Sequence, residues 1–143
     1  MTAIVTRVAT VQLYGDTLSI VRLENGATCI ANRKEDGSLR WGVGDLAVFV
    51  NENSVLTEDV MKERGYWNEE ADRGYLGGNK RNRVRPRAMG PDSVVTEGLM
   101  FQVEPASVDD DNKPLTGVVT RGDQKITVNV GDDVSEFLEI TGG

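Results

Sequence analysis

The densest chemical signal in this 143-residue chain is the run Gly78-Asn79-Lys80-Arg81-Asn82-Arg83-Val84-Arg85-Pro86-Arg87. Residues 79–91 hold 5 basic side chains and no acidic one. Successive side chains of an extended backbone point to opposite faces, so Arg83, Arg85 and Arg87 would share one face. Such a stripe of guanidiniums suits phosphate oxygens, which accept charge-assisted hydrogen bonds. The bland reading is a solvated strand that neutralises an acidic body or meets an acidic partner. Tyr66, Trp67 and Tyr75 lie just upstream. Exposed rings of this kind stack on bases; equally, they plug a barrel end or anchor a protein interface.

A second motif, Lys34-Glu35-Asp36-Gly37-Ser38-Leu39-Arg40, spells K-x-D-G-x-x-R. Covalent nucleotidyltransferases use such a lysine as the nucleophile that takes a nucleoside monophosphate. That chemistry also needs an acidic clamp, further lysines for the phosphates and a metal site. None follows here, and Asp-Gly is strong turn chemistry, so the stretch reads as a turn. The Asp109-Asp110-Asp111-Asn112 run lacks the glycine and ligand spacing of a calcium loop and reads as solvated loop. We therefore assign no catalytic residue, no metal and no cofactor, and expect no enzyme.

Composition narrows the choice further. The absence of histidine removes Ser-His-Asp and Cys-His catalysis, histidine metal sites and histidine pH switching together. The single cysteine, Cys29, allows no internal disulfide; flanked by Ala27, Thr28, Ile30 and Ala31, it reads as a buried strand thiol. Lysine plus arginine number 16 against 23 acids, a net charge of −7, which disfavours a whole-surface grip on nucleic acid or an anionic membrane. Residues 92–143 hold 3 basic and 11 acidic side chains, so one basic element sits on an acidic body. No stretch approaches the roughly 20 apolar residues of a membrane span, and Met1–Thr10 does not resemble a signal peptide, so we expect a cytoplasmic location.

The elements that must position these residues are mostly strands. Ile4–Leu13 alternates β-formers with polar residues, Leu18–Leu23 and Ala27–Asn32 flank an Asn25-Gly26 hairpin signal, and Leu46–Val50 is a continuous apolar run expected at a sheet centre. Thr57 can cap a short helix whose first turn carries acids and which Gly65 ends. Residues 66–80 read as a long loop, and Arg83–Arg87 as an extended segment at an edge because of Pro86. Gly98–Val103 is another strand, residues 105–114 an exposed acidic loop, and Val118–Val119 with Ile126–Val130 a late hairpin. Asp132–Ile140, with acids first and Val134, Phe137 and Leu138 on one face, predicts a terminal helix. Trp41, flanking the hairpin, is expected in the core or as a staple. The length fits one domain, residues 1–143, and the pattern fits a mainly β, small OB-like Greek-key barrel with one or two short helices, which spacing alone does not separate from an SH3-like barrel.

Three segments in order resemble the N-terminal OB-like domain of RNA ligases of the Naegleria/Deinococcus type. Asp16-Thr17-Leu18 through Gly44-Asp45-Leu46-Ala47-Val48-Phe49-Val50 is similar to that family's strand–hairpin–strand with "V-G-D-L-V-V-Y". Arg83–Arg87 leading to Thr96-Glu97-Gly98-Leu99-Met100 is similar to its basic strand ending in "S-Q-G-L-L". Gly131-Asp132-Asp133-Val134-Ser135-Glu136-Phe137-Leu138 is similar to "D-V-T-E-L-L". The resemblance implies an OB-like accessory module that helps seat a nucleic-acid duplex, with Lys34–Arg40 a hairpin between two strands. It also implies that the chemistry belongs to a nucleotidyltransferase domain and that this chain stops where that domain would begin.

The expectation is thus a non-catalytic module binding RNA or a nicked duplex through Lys80, Arg81, Arg83, Arg85 and Arg87, docked with a separate catalytic subunit or cut from a larger ligase. The acidic balance keeps a rival of another class open: an assembly subunit, such as a viral particle component, using the barrel for protein neighbours and the aromatic loop as its hot spot.

Overall fold

The computed structural model describes residues 2–142. Its central element is the strand β1 (Ala3–Tyr14), 12 residues long. A register shift between Val8 and Thr10 bends it. The first half pairs with β4 (Leu46–Val50) and the second with β2 (Leu18–Leu23), which in turn pairs with β3 (Thr28–Asn32). The β2–β3 connection is a three-residue loop closed by Leu23 N to Ala27 O at 2.9 Å, in which Gly26 alone takes a left-handed φ of 93° and the Asn25 side chain accepts from the Ala27 amide at 2.9 Å. Placing β4 beside β1 after the β1–β2–β3 meander is the Greek-key order.

With β10 (Leu99–Gln102) on the far edge of β4, the result is a curled five-stranded antiparallel sheet, a half-barrel, in a mainly β protein. The side between β3 and β10 is not closed by a backbone ladder. Its end is stitched by one backbone bond, from the Glu97 amide to Thr28 O at 2.9 Å, and by side chains: the Thr28 amide donates to the Glu97 carboxylate and the Ile30 amide to Thr96 Oγ1 at 3.1 Å.

β4 is buried on both faces, as its uninterrupted apolar run requires. Leu46, Val48 and Val50 face the larger core, with Leu56, Met61, Val119 and Leu138. Ala47 and Phe49 face the concave side with Val8, Val21, Cys29 and Trp41. Each fully buried leucine or methionine there contributes about 1.5–3 kcal/mol.

Over the larger core lie β5 (Ser54–Val55), helix α1 (Glu58–Arg64) and a small hairpin, β6–β7 (Trp67–Asn68 and Arg73–Gly74), while a second hairpin, β8–β9 (Arg87–Met89 and Val94–Thr96), packs beside β3 and Tyr14. Thr57 caps α1 by accepting from the Val60 amide, and Gly65 ends it at φ 84°. The stretch read as one loop, residues 66–80, therefore holds a two-stranded ribbon.

A three-stranded sheet of β11 (Glu104–Val108), β12 (Pro114–Arg121) and β13 (Gln124–Val128) follows. Residues 105–114 are exposed apart from Pro114. They form strand β11 and a turn rather than a loop, because β11 finds a ladder partner in β12.

The terminal helix expected over Asp132–Ile140 does not form. The free edge of the first half of β1 captures this segment instead: Val5 donates to Asp132 O, Gly131 to Val5 O and Val134 to Ala3 O, all at 2.8–2.9 Å. Ser135 Oγ then accepts from the Thr2 and Ala3 amides at 3.1 and 2.8 Å. One helical turn survives (Leu138 N to Val134 O) and ends at Glu139, φ 55°. The last strand, β14 (Thr141–Gly142), pairs with β5. Among the described residues no helix is long and apolar enough to cross a membrane.

Candidate nucleic-acid interface

The opening between β3 and β10 forms a cleft of about 680 Å³. Its floor is the facing edges Cys29–Asn32 and Leu99–Gln102. The end of α1 and the following residues supply Arg64, Tyr66 and Tyr75; the segment after Val84 supplies Arg85, Arg87 and Met89; and Arg40 and Trp41 complete the wall.

The basic run does not make one flat stripe. Residues 78–81 turn sharply, with Gly78 at φ 82° and Arg81 itself left-handed at φ 57°. Lys80 and Arg81 are exposed on this turn, outside the cleft. Arg83 bridges Val55 and Gly77, and its guanidinium donates to the Asn53 carbonyl at 2.9 Å, so it is half-buried and outside the cleft. Val84 points into the core. Arg85 leans across Gly77 and donates to Asn53 Oδ1.

Arg87 opens β8, on a hairpin held by Tyr14. The Tyr14 hydroxyl donates to Met89 O at 2.7 Å and accepts from the Asp92 amide at 2.9 Å. Gly90 turns the hairpin at φ 74°, in a position where a Cβ would strike the Tyr14 ring.

Arg40 and Arg64 join the site although the sequence marks Arg40 only as the end of the K-x-D-G-x-x-R stretch and Arg64 only as a basic residue near the end of a helix. Lys34–Ser38 is the expected turn: Lys34 N donates to Ser38 O, Gly37 sits at φ 87°, and Asp36 accepts from the Ser38 amide at 2.9 Å. Its relevance to the cleft is that it delivers Arg40. Arg64 stands 5.1 Å over the Phe101 ring and donates to Thr120 O. Burial pushes it below the usual guanidinium range, yet an arginine remains a cation there. Its Nε is buried with no hydrogen-bond partner among the described residues.

One acid, Glu63, lies in the lining, and its carboxylate is turned away to accept from the Gly122 amide at 3.2 Å. The two ion pairs among the described residues, Lys62–Glu58 and Arg121–Glu139, involve none of the four cleft arginines.

The aromatic residues divide as well. Tyr75 is 56% exposed at the rim. Tyr66 is half-buried, its ring centroid 6.2 Å from that of Phe101, and burial raises its hydroxyl pKa. Trp67 lies outside the cleft, packed on the core under Lys62 Nζ. Trp41 is in the concave core, as expected, and also walls the cleft. Cys29 on the floor is 1% exposed, and its thiol is pushed up to about 11 by burial. Among the described residues no cluster of three or more histidine, cysteine or acidic side chains could hold a metal.

No protein-family model matches the chain, and no curated protein matches its sequence. Solved structures do match its fold. A lysine-to-methionine variant of Naegleria gruberi RNA ligase with AMP and Mn superposes with a TM-score of 0.61 at 20% identity, over 99% of this chain and 34% of that one. The same ligase with pyrophosphate gives 0.59 at 18% identity, over 99% and 34%. An arginine-to-alanine variant with ATP and Mn gives 0.58 at 20%, over 99% and 35%. The chain thus shares a fold with part of an RNA ligase and spans about a third of that enzyme's length.

Proposed function

We propose that this chain is a non-catalytic RNA-binding module that seats a strand, alone or as part of a nicked duplex, in the arginine-lined cleft. The observation that carries the reading is the gathering of Arg40, Arg64, Arg85 and Arg87 in one recess of a chain of net charge −7, without a carboxylate partner among the described residues. None of the four is neutralised by an ion pair among the described residues, so their charge is open to phosphates, while Arg64 and Arg85 are also steadied by donating to Thr120 O and Asn53 Oδ1. The likeness in fold to part of an RNA ligase supports the same reading by analogy. Arg85 and Arg87 hold phosphates from one rim, and Lys80 and Arg81, on their turn, extend the positive track outside the cleft. Arg83 serves mainly to fix the segment to Asn53. In this reading any ligation chemistry belongs to a separate domain or subunit, in whose company the module works.

The test is RNA binding followed by fluorescence anisotropy across a salt series. Each phosphate contact on a single strand adds about 0.7 to the slope of log K against log salt, so Arg85→Ala with Arg87→Ala lowers the slope by about 1.4 and weakens binding about 25-fold at about 0.1 M salt. Salt-insensitive binding, or none at low salt, overturns the reading. The assembly-subunit alternative then gains from the β11–β12 hairpin, which exposes Val108 and Leu115 by 48% and 50%.

A further inference from the structure

We infer that the cleft receives a single unstacked nucleotide, the end or an unpaired position of an RNA strand, while paired RNA stays outside it. The inference rests on the RNA-binding reading above and adds what the recess itself selects.

Size is the first argument. A volume of about 680 Å³ lies within the range of about 300–1,000 Å³ typical of pockets that engulf a small molecule. A duplex is gripped across its grooves by its overall shape and cannot enter such a recess, whereas one or two unstacked nucleotides can.

The chemistry of the wall is the second. A surface built only for phosphates needs cations and little else. Here Tyr75, more than half exposed, lines the same recess as Arg85 and Arg87. A ring in one recess with guanidiniums offers a stacking face for a base together with a clamp for its phosphate. The side-chain amides of Asn32 and Gln102, on the opposed edges of β3 and β10, line the same recess and are exposed. Each carries donors and an acceptor, the complement of a base edge that has left its pairing partner.

The open side of the half-barrel is the third. The Thr28 and Ile30 amides on the β3 edge are taken by Glu97 and Thr96, so the stitching closes one end of the gap. Asn32 lies beyond these two stitches, further along the same strand. These bonds bound the recess on that side and leave the Asn32 and Gln102 side chains exposed in its lining.

The experiment compares a blunt RNA duplex, the same duplex carrying a short unpaired overhang, and AMP as competitor. The overhang is expected to tighten binding at least tenfold, and Tyr75→Ala to erase that advantage, since a stacked base contributes on the order of tenfold. Displacement of the overhang RNA by millimolar AMP shows that one nucleoside monophosphate suffices; a persistent overhang preference without displacement assigns the cleft to a strand end. Equal affinity for blunt and overhanging duplexes overturns this inference and leaves RNA binding intact. Failure of every RNA to bind removes both.

Discussion

Gly77→Ala tests whether the position of Arg85, rather than its charge, makes the interface. A Cβ on residue 77 would lie 2.5 Å from Arg85 Cγ, with Arg83 O at 3.3 Å and Arg85 Cβ at 3.4 Å. Arg85 Cγ must retreat by roughly 1 Å to reach ordinary van der Waals contact. The stem of an arginine cannot do this at a fixed Cα without changing rotamer. The new rotamer breaks the hydrogen bond to Asn53 Oδ1 and carries the guanidinium away from the cleft rim. Gly77 is not in the left-handed region, so the substitution adds no backbone strain of its own. The stability loss is that of one exposed hydrogen bond, about 1 kcal/mol or less. Binding loses one phosphate contact, which is about 0.7 in salt slope and about fivefold in affinity at about 0.1 M salt. Net charge is unchanged, so a purely electrostatic attraction to the chain would not register the mutation. Anisotropy titrations at several salt concentrations, with a thermal melt as control, read both quantities. An unchanged slope in a folded Gly77→Ala protein refutes the role given to Arg85.

Two further outcomes concern the framework. Ser135→Ala removes the acceptor of the buried Thr2 and Ala3 amides, and at about 1–3 kcal/mol per orphaned donor, reduced by water at this half-exposed site, the loss is about 2 kcal/mol. That is a fall of about 4–8 °C in a thermal melt for a chain of this size, and a shift under about 1 °C would sink the assignment. The same tie depends on pH: hydrogen bonds from Ser135 hold Asp133 below its usual 3.8, so its contribution is complete above that value and is lost as pH falls through the depressed folded value. Cys29, with its thiol at about 11, has roughly one molecule in a thousand ionised at about pH 8, so thiol reagents should label it only after denaturation; fast labelling of the native protein contradicts the buried placement.

What could be read from the sequence was whatever local physics decides alone. Leu18–Leu23 and Leu46–Val50 are strands with the predicted limits because the first is bounded by the Tyr14–Asp16 turn and the Asn25–Gly26 hairpin signal and the second is uninterruptedly apolar. α1 runs between Thr57 and Gly65 because both ends carry their own cap chemistry. Asp132–Ile140 misled for the opposite reason. Its helical pattern is real, but β1 had an unpaired edge beside it, and bonds to Val5 and Ala3 let Val134, Leu138 and Ile140 reach the core without a short helix that is marginal on its own. Glu104–Val108 was missed because all five residues are exposed, leaving no hydrophobic alternation to read.

The site divides along the same line. Arg85 and Arg87 were visible as charges in a row, but a row becomes a face only while the backbone stays extended. The turn at residues 78–81 throws Lys80 and Arg81 outward, and Asn53 holds Arg83 on the far side of the cleft wall. Arg64 carried a sufficient local explanation, a basic residue in the last turn of a helix, and nothing nearby in sequence marks Phe101 as its neighbour. Arg40 looked like the tail of a nucleotidyltransferase motif and is instead the delivery end of a turn. The net charge of −7 was the most persuasive argument against nucleic acid, and it weighs less once the arginines are located. At physiological ionic strength exposed charges more than about 8 Å apart are largely screened, so a phosphate in the cleft responds to the guanidiniums beside it. On the proposed reading the acidic body acts on approach, directing an RNA strand toward the cleft and the Lys80–Arg81 turn next to it in sequence.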